Sequence, residues 1–271
     1  MNDSAAAPCT SSDDVLALLQ DQRRAGIERG FYWENQIAFA YNSNKMEGSP
    51  LTEEQTRSIF ETRTVTGRAV PFDAQLEAVN HFKLFDFMLD TARDPLTPEL
   101  LLSYHGVLKA GVEGQASGMW KTVPNGVGGI TTTPPSQVAD EVERLLGSYG
   151  NASQHTLREI VGFHYFFECI HPFQDGNGRI GRMVMFKECL ANDIDPFIVL
   201  DEYKADYYKG LDVYAEDPAL LEGFASRMQD LYMAEYANLV PEYLLLPQFE
   251  KFRTDTPTFD PQRADDFFTG A

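Results

Sequence analysis

The stretch HPFQDGNGRIGR, at residues 171–182, combines one histidine, one acid, one asparagine, three glycines and two arginines. Each residue alone has an ordinary explanation, because histidines pack, glycines beside asparagine form turns, and arginines three apart form a solvated face. A segment that serves only the protein core has no use for this mixture. The combination within twelve residues therefore predicts a binding or catalytic site.

The glycines of this stretch predict an anion-binding loop. Gly176, Asn177 and Gly178 can adopt the positive φ angles of a tight loop, whose successive backbone N–H groups converge on one point. The following segment reads as a helix, so its N-terminal amides face the same point. Arg179 and Arg182 share one face of that helix. Two guanidinium groups beside such amides suit an oligophosphate better than a single carboxylate.

Asp175 and His171 extend this interpretation from binding to chemistry. A carboxylate beside a polyphosphate is repulsive unless a cation bridges them, and Mg²⁺ does so in most nucleotide sites. A neutral imidazole at position 171 can take a proton from an attacking hydroxyl. The residues therefore predict transfer of a phosphorus group from a nucleotide to an alcohol, driven by positioning and charge neutralisation.

Three other kinds of site fit these residues less well. Gly176, Gly178 and Gly181 spell the dinucleotide fingerprint G-x-G-x-x-G, and an apolar run precedes them, but five residues separate that run from the first glycine. The P-loop pattern G-x-x-x-x-G-K-[ST] does not occur in the chain. One thiol and one imidazole, at Cys169 and His171, make a poor zinc site even with Asp175 nearby.

Composition limits the classes of partner. The chain has 271 residues and a formal net charge of −19, so its average surface repels nucleic acid and anionic membranes. Three cysteines, at positions 9, 169 and 189, argue against a disulfide scaffold, and we expect Cys169 and Cys189 to be buried thiols. The sequence starts without a signal-peptide pattern and has no run of membrane-spanning length, which favours a cytoplasmic location.

Helix signals extend outward from the central stretch and favour an all-α fold with one small β-hairpin. Ser12 is a candidate cap for a first helix, and Thr52 with Gln55 has the spacing of a capping box. Thr97 before Pro98 marks another helix start. We also expect an apolar helical stripe at Leu76, Val79, Phe82 and Phe85. The Gly-rich segment around Asn125-Gly126 predicts a hairpin turn.

These signals give three parts of the chain. Residues 1–10 are expected to form a flexible tail. Residues 11–231 form the domain, and residues 232–271 form a helical or irregular appendage.

The motif HPFQDGNGR together with Arg182 resembles the signature of Fic-domain proteins, H-P-F-x-D/E-G-N-G-R-x-x-R, at every fixed position. The resemblance extends from about residue 31 to about residue 231. It implies a helical bundle with a β-hairpin flap. It also implies adenylyl transfer (AMPylation), in which AMP moves from ATP to a Ser, Thr or Tyr hydroxyl of a target protein or of the chain itself, and pyrophosphate leaves.

The resemblance also implies a role for each matched residue. His171 would be the general base, Phe173 would pack in the core, and Asp175 would hold Mg²⁺ on the α- and β-phosphates. The anion hole would comprise Gly176, Asn177 and Gly178, with Arg179 on phosphate oxygens and Arg182 on the γ-phosphate. Tyr207 or Tyr208 would line the adenine pocket, with Tyr208 preferred. Lys121, Thr122 and Val123 would belong to the flap that docks the target by strand addition.

A second motif, SNKMEG, resembles the inhibitory motif [S/T]-x-x-x-E-[G/N] of the same family at Ser43, Glu47 and Gly48. It lies at the end of a helix expected at about 31–48. In the family this glutamate pairs with the second signature arginine, here Arg182. Such a carboxylate occupies the cation that the γ-phosphate needs and repels that phosphate.

Several functions remain open at this point. The inhibitory glutamate of some relatives positions water and removes AMP, so de-AMPylation is an alternative. Transfer of another nucleotide is also open, whereas phosphate transfer is disfavoured because Gly178 stands where such relatives have lysine. A non-enzymatic regulator is a third class. The resemblance leaves a homodimer open, and the sequence does not identify the target protein.

Overall fold

The computed structural model describes residues 13–240, except residues 113, 115, 128–129 and 151–152. Helices dominate this part of the chain: α1 Asp13–Ala25, α2 Phe31–Met46, α3 Glu53–Thr62, α4 Phe72–Asp90, α5 Pro98–Leu108, α6 Val138–Tyr149, α7 Leu157–Ile170, α8 Asn177–Ala191, α9 Lys204–Asp212 and α10 Pro218–Tyr236. Two two-residue strands, β1 Gly126–Val127 and β2 Ile130–Thr131, pair antiparallel. The expected tail, most of the expected appendage, Cys9 and Ser12 lie outside the described residues.

The predicted caps are present where the structure describes them. Thr52 and Gln55 form a reciprocal capping box, because the Gln55 N–H donates to Thr52 Oγ1 at 3.1 Å and the Thr52 N–H donates to Gln55 Oε1 at 3.2 Å. Thr97 accepts from the Leu100 N–H at 3.2 Å, with Pro98 at the first helical position. Both helix starts are therefore confirmed.

Helix α8 lies at the centre of the fold and is buried along almost its entire length. Helices α1, α2, α4, α5 and α7 all contact it. Phe186 of α8 packs against Phe39 of α2 and Phe85 of α4, with ring centroids 5.3 and 5.6 Å apart. This packing brings the C-terminal end of α2 to the N-terminal end of α8, where the motif loop lies.

Three expectations need qualification. On the α4 stripe, Phe82 and Phe85 are buried, while Leu76 and Val79 are only half-buried. Cys189 is buried as expected, but the expectation for Cys169 is wrong, because it lies on the exposed face of α7. The inward face of that helix is taken by larger apolar side chains, including Phe167.

The expected position of the hairpin turn is also wrong. The strand register pairs Gly126 with Thr131 and Val127 with Ile130, so Gly126 begins a strand rather than forming the turn. Asn125 is held by the motif loop, because its side-chain amide donates to the Phe173 carbonyl at 2.9 Å. That contact fixes Asn125 directly before strand β1.

Candidate functional site

The motif loop is fixed at both ends by its backbone conformation. Helix α7 ends at Ile170, and the next residue, His171, has φ of 50°. Gly176 has φ of 86° just before α8 begins. The Asn177 side chain closes the loop, because it accepts from the Phe173 N–H and donates to the Phe173 carbonyl, both at 2.8 Å. Phe173 is fully buried, as the sequence predicts. Asn177 is thus a loop-closing residue as well as part of the helix N-terminus.

His105 of α5 also supports this loop, although no local sequence pattern points to it. Its ring stacks on Phe173 with centroids 3.9 Å apart. Its Nδ1 accepts from the Gly118 N–H at 3.1 Å, so Nε2 carries the proton and donates to the Asp175 carbonyl, also at 3.1 Å. Burial lowers the pKa of His105 to about 4, which keeps the ring neutral in this role.

The three motif glycines allow close approach of neighbouring groups. A Cβ on Gly178 would collide with Glu47 Oε1 and lie 2.8 Å from an Arg182 terminal nitrogen. A Cβ on Gly181 would lie 2.6 Å from His164 Nδ1. The residues before these glycines form helix α7 rather than a strand, so the dinucleotide-fingerprint alternative is wrong.

Arg179 lies in a buried cluster of opposite charges. One terminal nitrogen is 2.9 Å from Glu77 Oε1, and the other is 3.1 Å from Asp175 Oδ2. Lys109 pairs with the same two carboxylates, at 2.5 Å from Glu77 Oε1. Burial alone would raise the pKa of Asp175 and of Glu77, but the neighbouring cations hold both pKa values below their usual range. Both carboxylates are therefore ionised in the resting structure.

Arg182 is bound by the end of helix α2. Its terminal nitrogen donates to Glu47 Oε1 at 2.7 Å and to the Ser43 carbonyl at 3.0 Å, and its Nε donates to Ser43 Oγ at 3.1 Å. The Arg182 side chain is 2% exposed and that of Glu47 is 29% exposed. Burial opposes the charge of Arg182, but Glu47 outweighs it and raises the pKa of the guanidinium. Gly48 follows with φ of 87°, a conformation that favours glycine.

The two tyrosines expected near an adenine differ in position. Tyr207 is buried, and its hydroxyl lies 2.6 Å from His164 Nε2. Tyr208 is 41% exposed, and its hydroxyl donates to the Met46 carbonyl at 3.4 Å. Of the two, Tyr208 alone offers ring surface to a ligand, and it does so beside the end of α2.

The segment before the hairpin is anchored rather than free. Lys121 is buried, and its ammonium donates to Asn125 Oδ1 and Thr132 Oγ1 at 2.7 Å and to the Ile170 carbonyl at 3.2 Å. Burial lowers the pKa of Lys121 to about 8. Thr122 and Val123 are exposed. Lys121 thus ties the segment to the end of α7, and its two neighbours present the surface.

The donor set fits a magnesium site of the nucleotide type. Within the described residues, no group of three His, Cys, Asp or Glu side chains could hold a metal alone. Mg²⁺ is commonly held by one or two carboxylates together with substrate phosphates. Asp175 supplies such a carboxylate at the lip of the loop with its side chain 41% exposed, and both of its ion pairs use Oδ2.

The fold and this loop define a helical protein with two buried, ion-paired arginines at the N-terminal end of its central helix. Residues 95–189 match the model of the Fic/DOC family, which confirms the resemblance seen in the sequence. A protein adenylyltransferase Fic of Culex quinquefasciatus is 28% identical over 237 residues, which are 83% of this chain and 47% of that protein. Its counterpart from Drosophila melanogaster is 26% identical over 249 residues, 89% of this chain and 50% of that protein. The chain spans about half the length of these relatives.

Solved structures agree on the fold. A Fic-domain-containing signaling protein from Bacteroides thetaiotaomicron aligns with a TM-score of 0.71 at 20% identity, covering 84% of this chain and 96% of that one. A Fic family protein from Desulfovibrio desulfuricans aligns with a TM-score of 0.65 at 24% identity, covering 86% and 75%. In the parts of the chain that the structure describes, every helix is too short or too polar to span a bilayer.

Proposed function

We propose that this chain is a protein adenylyltransferase that Glu47 holds in a resting state. The observation that carries the proposal is the contact of Arg182 with Glu47 and Ser43, directly beside Gly178 of the motif loop. A triphosphate bound in this loop needs Arg182, and Glu47 supplies a carboxylate in its place. Relatives named protein adenylyltransferase Fic support the reaction class.

The reaction assigns one step to each residue of the loop. ATP lies along the α8 N-terminus, with Arg179 and a released Arg182 on its phosphates. His171 takes the proton of a target hydroxyl, the hydroxyl oxygen bonds to the α-phosphorus, and pyrophosphate leaves. Asp175 would hold Mg²⁺, which neutralises phosphate charge when bound. The exposed backbone at Thr122 and Val123 is the surface on which a target chain adds as a strand, with Lys121 as its anchor.

Inhibition follows from the cost of separating the ion pair. A hydrogen bond to a charged group contributes about 1.5–3 kcal/mol, and Arg182 makes three of them to α2. A γ-phosphate must replace these bonds and displace Glu47 from the space above Gly178. A nucleotide that cannot do so is misaligned, and small misalignment costs large factors in rate.

Labelling with ATP that carries a radioactive α-phosphate tests the proposal. We expect weak labelling of a protein substrate or of the chain itself by the wild type, strong labelling by Glu47→Gly, and none by Glu47→Gly/His171→Ala. Glu216→Gly, at an exposed turn, is the matched control and leaves labelling at the wild-type level. Intact mass distinguishes AMP from phosphate. Equal labelling by wild type and Glu47→Gly would remove the inhibitory role of Glu47.

A second activity, removal of AMP, is favoured by the position of Glu47. Its carboxylate stays 29% exposed while it lies against Gly178 at the loop, where it can orient a water molecule. A protein labelled by Glu47→Gly, then purified and incubated with wild type, would lose AMP if this activity exists. Retained label in that incubation leaves transfer as the only activity proposed for the site.

A further inference from the structure

Glu168 is a buried carboxylate that no step above uses. It lies one helical turn before His171, near the end of α7, and its Oε2 is 3.4 Å from His171 Nδ1. The two side chains are 12% and 14% exposed. Within the described residues, neither His171 Nδ1 nor Glu168 Oε1 makes a hydrogen bond. A carboxylate in such a place destabilises the fold unless it is paired, so its position needs an explanation.

The surroundings of Glu168 hold it in place and keep it charged. Oε1 would lie 3.0 Å from a Cβ on Gly181, so the bare backbone of α8 is what gives the carboxylate room. The other ionisable groups around it are His164 and Cys169 on α7, Arg182 on α8, and Tyr207 and Tyr208 on α9. Burial would raise the pKa of Glu168, but His171, His164 and Arg182 outweigh burial and lower it.

We propose that Glu168 is the positioning residue for the imidazole of His171, an inference that rests on the proposed function. An ionised carboxylate beside Nδ1 keeps a proton on that nitrogen and leaves Nε2 as the proton acceptor. When Nε2 takes the proton of the target hydroxyl, the hydroxyl oxygen bonds to phosphorus, pyrophosphate leaves, and the imidazolium is paired with Glu168. The 3.4 Å separation shortens in the substrate complex, as catalytic hydrogen bonds do.

A second glutamate on helix α7 serves as a control for the possibility that Glu168 only stabilises the fold. Glu159 lies on the same helix α7, exposed in the capping box of its first turn, where glutamine serves as well as glutamate. Both Glu168→Gln and Glu159→Gln remove one charge from α7 and keep the side-chain volume. Only the first changes the group beside His171.

The experiment compares these variants on the Glu47→Gly background of the full chain. For Glu168→Gln we expect kcat for AMP transfer to fall at least about tenfold, with KM for ATP within about twofold. Glu159→Gln leaves both constants unchanged. In ¹⁵N-histidine NMR, the His171 resonances, assigned by their loss in His171→Ala, should show Nδ1 protonated in the parent and a mixture of tautomers in Glu168→Gln.

Two results would overturn the inference, and they differ from a failure of the proposed function. The first is kcat retained in Glu168→Gln. The second is a His171 that carries its proton on Nε2 in the parent. If Glu47→Gly itself transfers no AMP, the proposed reaction fails, but the NMR spectra still decide whether Glu168 sets the tautomer.

Discussion

At the scale of single residues, the resting state depends on a buried cation that must always have a partner. Arg182 is almost fully buried, and an unpaired guanidinium there would be strongly destabilising. Glu47 and Ser43 supply the partners in the resting structure, and the triphosphate supplies them in the proposed active one. The proposed activation is therefore an exchange of the hydrogen-bond partners of Arg182, whose equilibrium depends on the number of hydrogen bonds in each state.

Ser43 offers a graded test of this exchange. Ser43→Ala removes the bond from Arg182 Nε but leaves the bonds to Glu47 and to the backbone carbonyl. A loss of about 1.5 kcal/mol from the resting state, the lower end for a hydrogen bond to a charged group, should raise labelling roughly tenfold, below the level of Glu47→Gly. Ser103→Ala, at an exposed position of α5, is the control. Labelling by Ser43→Ala at or below the wild-type level would contradict the exchange.

His81 gives a pH dependence whose sign can be worked out. It is fully buried beside Arg179 and Arg182, within the described residues neither ring nitrogen has a hydrogen-bond partner, and burial lowers its pKa to about 3. In the unfolded chain His81 has a pKa near 6.5 and binds a proton below that pH, whereas in the folded chain it stays neutral. Above pH 6.5, His81 therefore does not lower the free energy of unfolding. As pH falls from 6.5 toward 3, it lowers that free energy by a growing amount.

The variant His81→Leu tests that sign. Between pH 7 and pH 5, the free energy of unfolding should fall by about 2 kcal/mol less in His81→Leu than in the wild type. Urea titrations at both pH values measure the difference. His155→Leu is the control, at a half-buried position elsewhere in the fold where the ring stacks on Tyr149. An unchanged pH dependence in His81→Leu would mean that folding does not lower the pKa of His81.

The sequence could predict the residues of the motif but not the residues that support them. His171, Asp175 and both arginines lie within twelve positions, so their types and spacing carry the information. Glu77, Lys109 and His105 come from α4 and α5, and no local pattern distinguishes them from surface residues. Only the packing of those helices on α8 brings them to the loop.

At the scale of the elements, the backbone conformation at the end of α2 supports the proposed regulation. Gly48 has φ of 87°, and a Cβ there would contact no other atom. Glycine is therefore favoured at this position by its backbone conformation and not by a lack of space. The residue lets the chain leave the helix directly after Glu47. This explains, in physical terms, a glycine directly after the glutamate proposed to be inhibitory.

Two glycine substitutions of opposite expected sign test this account. Gly48→Ala should lower the free energy of unfolding by about 1 kcal/mol, because alanine resists the left-handed conformation. Gly147→Ala, inside helix α6 and also facing open space, should raise it by about 0.5–1 kcal/mol. Urea unfolding with unchanged slope measures both. Two changes of the same sign would contradict the conformational explanation.

At this scale, the sequence predicts features that depend on residues close together in the chain, and it fails for those that depend on distant residues. The helix starts at Thr52 and Thr97 depend on residues three apart, and the sequence predicted both. The hairpin turn was misplaced because Asn125 binds Phe173, which lies 48 residues away. Cys169 was misplaced because an apolar run in sequence does not say which side of a helix faces the core.

At the scale of the whole molecule, charge is distributed unevenly. The chain carries a formal net charge of −19, yet Arg179, Arg182 and Lys109 are gathered and nearly fully buried around one loop. The acidic exterior repels a free triphosphate at long range, and the buried cations attract it at short range. Salt screens the long-range repulsion more than the short-range attraction, because buried charges are screened much less than exposed ones.

The same distribution predicts how stability responds to salt. Raising ionic strength from 0.01 M to 0.15 M shortens the screening length from about 30 Å to about 8 Å, which relieves repulsion across the surface. Exposed pairs such as Arg24 with Asp21 lose little, because exposed salt bridges contribute about 0–1 kcal/mol. The relief of repulsion should therefore outweigh the loss of exposed ion pairs. Each kcal/mol added to the free energy of unfolding raises the Tm by roughly 2–4 °C. Melting in EDTA with sodium chloride, and separately with choline chloride, measures this rise without a divalent ion. A Tm that falls in both salts would show that attraction between surface charges outweighs the repulsion expected from the net charge.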